Sequence, residues 1–324
     1  MYFKTCAMSV DSLLSKLRSL GVPGKSIECY HELHRFYHTL DHLVDIYHQL
    51  EERGLAENKV MLLATIYHDV IFNPKSSTNE EDSAEYFMHT YEGDAQLKQE
   101  VYDIIIDTKT HQPRSKLSAV FCDVDLNILK QPLHKLLIYE DQIFKEFQFA
   151  DFSLYRVKRV EALQQLQAKV SNTDLSALIT YVQHRQPQIA VYPGSFNPFH
   201  KGHYNILQKA EAIFDKVIIA KGANPGKEES TFEIPTILSN RQTAGYAGLL
   251  TDYVNGLGYT VTIIRGLRNS TDLQYELNQY RYLQDLSSQH LKIVSIFCDR
   301  EFEHISSTGI RQLQNYGMAD AYLL

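Results

Sequence analysis

Fourteen histidines occur in the 324 residues, and their spacing marks two places where chemistry could be done. Near the start, His31, His34, His38 and His42 fall at offsets of three, four and four. That spacing puts them on one face of a helix, as polar surface or as a wall of metal ligands. The adjacent His68 and Asp69 in LLATIYHDVIF, and the acids of DVDLNIL at 123–129, add the imidazoles and carboxylates that divalent transition ions accept. A His-Asp pair also arises by chance in a histidine-rich chain, and the two can satisfy each other in a helical core. The second place is PGSFNPFHKGH, residues 193–203, with His200 and His203 three apart. It joins an apolar run ending at Tyr192 to a helical pattern carrying Ile206 and Ile213. A strand, a small-residue turn and a helix N-terminus present free N–H groups to an anion, and Gly194 and Gly202 would admit a phosphate close to the backbone. ISSTGIR at 305–311 opens the last helical pattern with Ser306, Ser307 and Thr308, either as a capping cluster or as further phosphate contacts, with Arg311 behind them.

Two kinds of element must position these groups. From Ser9 to about Gln183 the apolar residues recur at helical spacing, with Leu13, Leu14, Leu17 and Leu20 early and Leu163, Leu166 and Val170 late. HRQPQ at 184–188 interrupts that period, because proline lacks an N–H and disfavours helix in the residue before it. The expected division is an all-α domain over 1–185 and a second domain over 186–324. In the second, short apolar runs, IAVY at 189–192, KVIIA at 216–220, VTII at 261–264 and KIVSIF at 292–297, alternate with helical stretches, one of them over about 270–287. Such runs suit strands buried on both faces, and the alternation predicts a Rossmann-like α/β unit with a parallel sheet.

Composition narrows the partners. Lys and Arg number 32 against 39 Asp and Glu, a net charge of -7, and no basic stripe tracks a nucleic-acid backbone. No apolar run nears the roughly 18 residues of a membrane span, and MYFKTCAMSVDSLLSKL lacks a signal-peptide pattern. Cys6, Cys29, Cys122 and Cys298 are far apart, without a CxxC pair, as in a reduced cytoplasmic protein.

Together, HKGH and ISSTGIR resemble the HxGH-type nucleotidyltransferase superfamily. RGLRNSTDLQYE at 265–276, ANPGK at 223–227 and GLLTDY at 248–253 make the chain from about Gln188 onward similar to the phosphopantetheine adenylyltransferases of coenzyme A synthesis. The resemblance implies that ATP, with Mg2+, and a small phosphorylated acceptor are the partners. By that resemblance His203 stabilises the reacting α-phosphate, with His200 beside it. Gly194, Ser195, Arg268, Glu276, Ser306, Ser307, Thr308 and Arg311 contact ATP, while Ser195, Lys227, Leu250 and Arg265 contact the acceptor. The sequence departs from the family in three places: about twenty residues separate Lys227 from GLLTDY, Leu283 replaces a usual asparagine, and the chain stops at Leu324 without the usual final helix. A homo-oligomer stays open. The ISSTxxR form equally suits nicotinamide mononucleotide adenylyltransferases, which keeps that nucleotide as the alternative acceptor.

RFYHTLDH at 35–42, YHDVIFNP at 67–74, NEEDSAEYF at 79–87, DTKTH at 107–111 and DVDL resemble a branch of the HD-domain metal-dependent phosphohydrolases. That resemblance implies one or two ions of Mn, Fe, Co, Ni or Zn held by His38, His68, Asp69 and Asp125. Asp123 is a reserve ligand, and His42 and His111 serve a second ion or the substrate phosphate. Lys109 and Arg114 are candidate phosphate contacts or solvated cations. The expected protein is a fusion of this domain with an adenylyltransferase, the HD half acting either as a second enzyme or as a non-catalytic binding or regulatory module.

Overall fold

The computed structural model describes residues 2–223, 235–286 and 291–324. The chain divides into two compact units, one of residues 1–147 and 156–184, the other of 148–155 and 185–324. The eight residues at 148–155 therefore group with the second unit, a departure from the single division expected near 185.

The first unit is helical. It comprises α1 (Tyr2–Ser19), α2 (Gly24–Glu28), α3 (Leu40–Glu52), α4 (Lys59–Tyr67), α5 (Asn79–Thr90), α6 (Ala95–Thr110), α7 (Lys116–Asp125), α8 (Leu133–Glu146), most of α9 (Phe152–Gln167) and α10 (Thr173–His184). Helix α4 is its axis: every residue from Met61 to Tyr67 is buried. Fully burying an aliphatic or aromatic side chain contributes about 1.5–3 kcal/mol, so this continuous apolar run places α4 in the centre. Asn58 caps it by accepting from the Met61 N–H at 3.1 Å. Asp94 and Ser115 cap α6 and α7 in the same way.

The histidine stripe is not helical as its spacing predicts. Residues 32–39 form an irregular segment between a short 3-10 turn at Cys29–His31 and α3, and only His42 of the four lies in an α-helix. Two side chains supply what helical hydrogen bonds would have supplied. Glu146 Oε1 accepts from the N–H groups of Phe36, Tyr37 and His38 at 2.8, 2.7 and 3.0 Å. The buried Arg35 donates to the carbonyls of His38, Asp69 and Val70. Once its backbone groups are paired in this way, a buried loop costs little.

The second unit is a five-stranded sheet among the described residues, all neighbours parallel, in the order β3-β2-β1-β4-β5. Its elements are β1 (Ile189–Gly194), α11 (Lys201–Glu211), β2 (Lys216–Gly222), β3 (Thr243–Tyr246), α12 (Leu250–Gly256), β4 (Val261–Leu267), α13 (Ser270–Leu286), β5 (Lys292–Phe297) and α14 (Ser307–Gln314). The four apolar runs are strands. The fifth, TAGY, was not legible: it is short, contains glycine, and has no apolar run because it is an edge strand with no buried residue. Strand β5 is the other edge, and only Ile296 of its six residues is buried, so the expectation of burial on both faces holds for the central strands and fails here. The strand order reverses between β1 and β4. In open parallel sheets that switch point leaves a crevice at the carboxyl ends of the strands.

Candidate functional site

That crevice is a cleft of about 430 Å3 lined by Tyr192 of β1, His200 and His203 of the following turn and helix, Arg268, Asp272 and Glu276 after β4, and Ser306, Ser307 and Thr308 at the start of α14. His200 is the N-cap of α11, its Nδ1 accepting from the His203 N–H at 3.3 Å. The two imidazoles stack at 3.6 Å between centroids, and His203 is flanked by Phe196 and Phe199. Burial and the nearby Arg268 charge push His200 down to about 4. Burial, His200 and Arg268 together push His203 well below its ordinary value. Both rings are therefore neutral at pH 7. His203 Nδ1 is buried without a hydrogen-bond partner, a polar atom held ready for a ligand.

Gly202 borders the cleft, and both glycines of this turn stand against large side chains. A Cβ on Gly194 would lie 2.7 Å from the Phe196 ring, and one on Gly202 would lie 3.1 Å from the His200 ring. They make room for the side chains that build the turn. Phe196 itself takes a left-handed backbone with φ 45 and is buried.

Arg268 is clamped by Asp272. Its Nε and Nη2 donate to the two carboxylate oxygens at 2.8 and 2.9 Å, and its backbone N–H adds a third bond at 3.0 Å. A bidentate pair of this kind fixes the plane of the guanidinium. Asp272 was missed in the sequence, although its place four residues after Arg268 at a helix start is the usual spacing of such a pair. Arg265 forms an ion pair with Glu276 at 3.2 Å and lines a neighbouring hollow of about 460 Å3. Glu276 borders both spaces, and burial pushes its carboxyl up.

The remaining sequence candidates are placed as follows. Ser306 Oγ caps α14 through the Gly309 N–H at 3.1 Å, and Ser307 Oγ donates to the Pro198 carbonyl at 3.1 Å. The capping reading of ISST is thus observed, and these hydroxyls also border the cleft. Arg311 is turned away, bonding the Asn197 carbonyl and the Thr308 hydroxyl. Ser195 is exposed and Leu250 is buried at the start of α12; neither borders the cleft. Lys227 lies outside the described residues.

In the helical unit, His42, His68 and Asp125 present ligand atoms all within 4.8 Å of one another. His42 Nε2 is 3.3 Å from His68 Nε2 and 3.2 Å from Asp125 Oδ1, and Asp69 Oδ2 is 2.9 Å from His68 Nε2. His68 and Asp69 follow the end of α4 and Asp125 ends α7, so the cluster is built from helix ends rather than helix faces. His68 Nδ1 is 3.0 Å from the Thr65 carbonyl, which makes Nδ1 the donor and directs Nε2 to the cluster. Burial alone would lower His68, but the charge and hydrogen bond of Asp69 and the charge of Asp125 raise it to about 9. Burial opposes the charge of Asp125 too, yet hydrogen bonds from His111 and His42 hold it well below the usual range.

Three expectations change here. His42 lies with His68 and Asp125 in the closest group, whereas His38 stands outside that group with its Nδ1 on Glu146 Oε2 at 2.8 Å, a bond that leaves its Nε2 for another partner as the Thr65 bond leaves that of His68. Asp123 is no reserve ligand: it is exposed and paired with Arg53 and Lys130. Lys109 is bound to Ser77 and Glu81, and Arg114 to Asp107. His111, at the left-handed end of α6, has its Nε2 2.9 Å from the other oxygen of Asp125. Glu146 and Arg35 were missed, since nothing in sequence separates a buried charged residue from a solvated one.

A parallel sheet with a histidine-bearing turn after its first strand, and a cleft at its switch point, defines a nucleotidyltransferase domain. A family model described as Cytidylyltransferase-like matches residues 191–243. The chain is 36% identical over 138 residues to the phosphopantetheine adenylyltransferase of Mycoplasma capricolum, covering 98% of that protein and 40% of this chain. It is 38% identical over 141 residues to that of Porphyromonas gingivalis, covering 88% of it, and 32% over 139 residues to that of Clostridium novyi, covering 85%. Through this part of its length the chain belongs to the phosphopantetheine adenylyltransferase family.

Proposed function

We propose that the second unit transfers the adenylyl group of ATP to 4'-phosphopantetheine, giving dephospho-coenzyme A and pyrophosphate. The observation that carries this reading is the convergence of a neutral His200–His203 pair, the clamped Arg268 and the N-terminus of α14 on one cleft, in a chain whose relatives bear that enzyme's name. A phosphate oxygen of the acceptor attacks the α-phosphorus in line, the bond to the bridging oxygen of the β-phosphate breaks, and pyrophosphate leaves. No protein nucleophile is needed, so the site's work is to position two anions and to neutralise charge as it grows. His203 donates to the α-phosphate, Arg268 and Ser306 to Thr308 hold the triphosphate, and Ser195, Lys227 and Arg265 receive the acceptor phosphate. Mg2+ bound with ATP would offset phosphate charge. The deciding assay is pyrophosphate release from ATP with each acceptor; turnover with nicotinamide mononucleotide and none with 4'-phosphopantetheine would overturn the assignment.

For the helical unit we propose a metal-dependent phosphohydrolase centre. Two imidazoles and two carboxylates fit a first-row transition ion, and His42, His68, Asp69 and Asp125 are the residues that would hold it. Such an ion lowers the pKa of a bound water and polarises a phosphoryl oxygen. The chain's own contribution is the Thr65 bond that orients His68, and His111 steadying Asp125. Elemental analysis and a thermal melt with and without chelator test it: a bound ion and a lower melting temperature on chelation are expected. No ion and no gain on adding Mn2+ would reduce the cluster to a hydrogen-bonded core.

A further inference from the structure

A hollow of about 200 Å3 opens onto the helical cluster, and His42 and Asp125 form part of its wall. Anything seated there has one end against the groups proposed to hold the ion. The rest of the lining is unlike a nucleotide site. Small-molecule pockets typically run to about 300–1,000 Å3, so this one suits a single small ring or a short chain. Besides His42 and Asp125, its polar groups are the carboxamides of Gln49, Asn127 and Gln131, the imidazole of His48, the hydroxyl of Tyr37, the carboxylate of Asp45 and the ammonium of Lys135; Gln131 donates to the Asn127 carbonyl and accepts from Lys135, each at 3.4 Å. A polyphosphate would meet a single ammonium, itself bonded to Gln131, and the repulsion of Asp45, whereas such ligands are usually held by several arginines or lysines. Carboxamides each donate and accept, and together with a carboxylate and an ammonium they match hydroxyl groups, which also do both.

We propose that this hollow receives the alcohol half of a phosphomonoester, a polyhydroxylated group of sugar size, while its phosphate lies at the cluster. The inference rests on reading the cluster as a hydrolytic metal centre and names that centre's substrate class. In the reaction a water oxygen bonds to phosphorus, the ester P–O bond breaks, and a water proton ends on the departing oxygen. The products are inorganic phosphate and the free polyol. Selectivity follows from the carboxamides of Gln49 and Asn127: a leaving group without hydroxyls strips them of water and leaves them unpaired, which lowers the rate constant about tenfold for each.

The test uses the full chain loaded with Mn2+ and measures phosphate released from glucose 6-phosphate, adenosine 5'-monophosphate, ATP and p-nitrophenyl phosphate. Isothermal calorimetry records Mn2+ binding in parallel. The sugar phosphate is expected to show a kcat/KM at least about tenfold above either nucleotide. Asn127→Leu and Gln49→Leu should each lower kcat/KM for glucose 6-phosphate by about tenfold more than for p-nitrophenyl phosphate, whose ring lacks the hydroxyls. Bound Mn2+ with turnover of p-nitrophenyl phosphate or of nucleotides, but no preference for the sugar phosphate, would overturn this inference and leave the metal centre standing. Equal losses on both substrates in the two variants would do the same. Hydrolysis of none of the four, with or without bound Mn2+, would remove the hydrolytic reading and this inference with it.

Discussion

Glu146→Ala is the perturbation whose consequence the structure determines most directly. The Glu146 side chain is fully buried; one oxygen accepts from three successive backbone N–H groups and the other faces His38 Nδ1 at 2.8 Å. Truncation strands three part-buried donors and an imidazole. Each stranded donor costs about 1–3 kcal/mol, but the segment at 36–38 can shift and admit water, so the costs do not add in full. Removing one half of a buried charged network costs about 3–5 kcal/mol overall, and that is the expected loss. In a domain of about 150–250 residues each kcal/mol moves the melting temperature by about 2–4 °C, so the helical unit should melt about 6–20 °C lower. Glu146→Gln keeps an acceptor for the backbone but sets an amide against His38, and should cost about 1–2 kcal/mol. The charge has a pH signature. Burial works against it, but His38 and the backbone bonds hold the carboxyl below its ordinary 4.5. Its stabilisation is therefore complete above that value and is lost as pH falls through the lower folded one. Chemical denaturation at pH 7 and pH 4, following helical signal, checks both points. A loss under about 1 kcal/mol for the alanine variant would refute the claim that Glu146 holds the loop, since that is the range of an ordinary surface change.

His203→Ala should lower kcat for adenylyl transfer by about a hundredfold or more while ATP binding stays within a few fold, as expected when a donor acts on charge present only in the transition state; steady-state kinetics with calorimetric ATP binding separate the two. Asp272→Asn should raise the KM for ATP more than it lowers kcat, because it frees the guanidinium of Arg268 without removing it; a purely structural role would instead appear as a lower melting temperature with kinetics unchanged. His200, held near 4 against an ordinary 6.5, binds fewer protons folded than unfolded between those values, so stability of the second unit should fall as pH drops from about 6.5 to 4. His200→Asn, which keeps a capping acceptor, should reduce that slope and leave the part due to His203, and an unchanged slope would show that His200 does not titrate there.

Much of the second unit was legible because its determinants are local. Four strands announce themselves as apolar runs, and the HKGH and ISST segments mark the starts of helices α11 and α14. The edge strand Thr243–Tyr246 left no such mark, since its pairing with β2 and not its own composition makes it a strand. In the helical unit the sequence supplied the ligand types, and periodicity misplaced them. Spacing put His31 to His42 on one helix face, but the tertiary contacts of Glu146 and Arg35 hold residues 32–39 out of helix. Which imidazole meets His68 and Asp125 was then decided by where the ends of α4 and α7 pack, more than fifty residues apart in the chain. The sequence by itself determined the kinds of side chain and the turns that present them. Only the folded structure decided that His42 lies against His68 and Asp125, that Asp123 faces solvent, and that Gly194 and Gly202 make room for Phe196 and His200, because each of these is a contact between groups the local pattern does not connect.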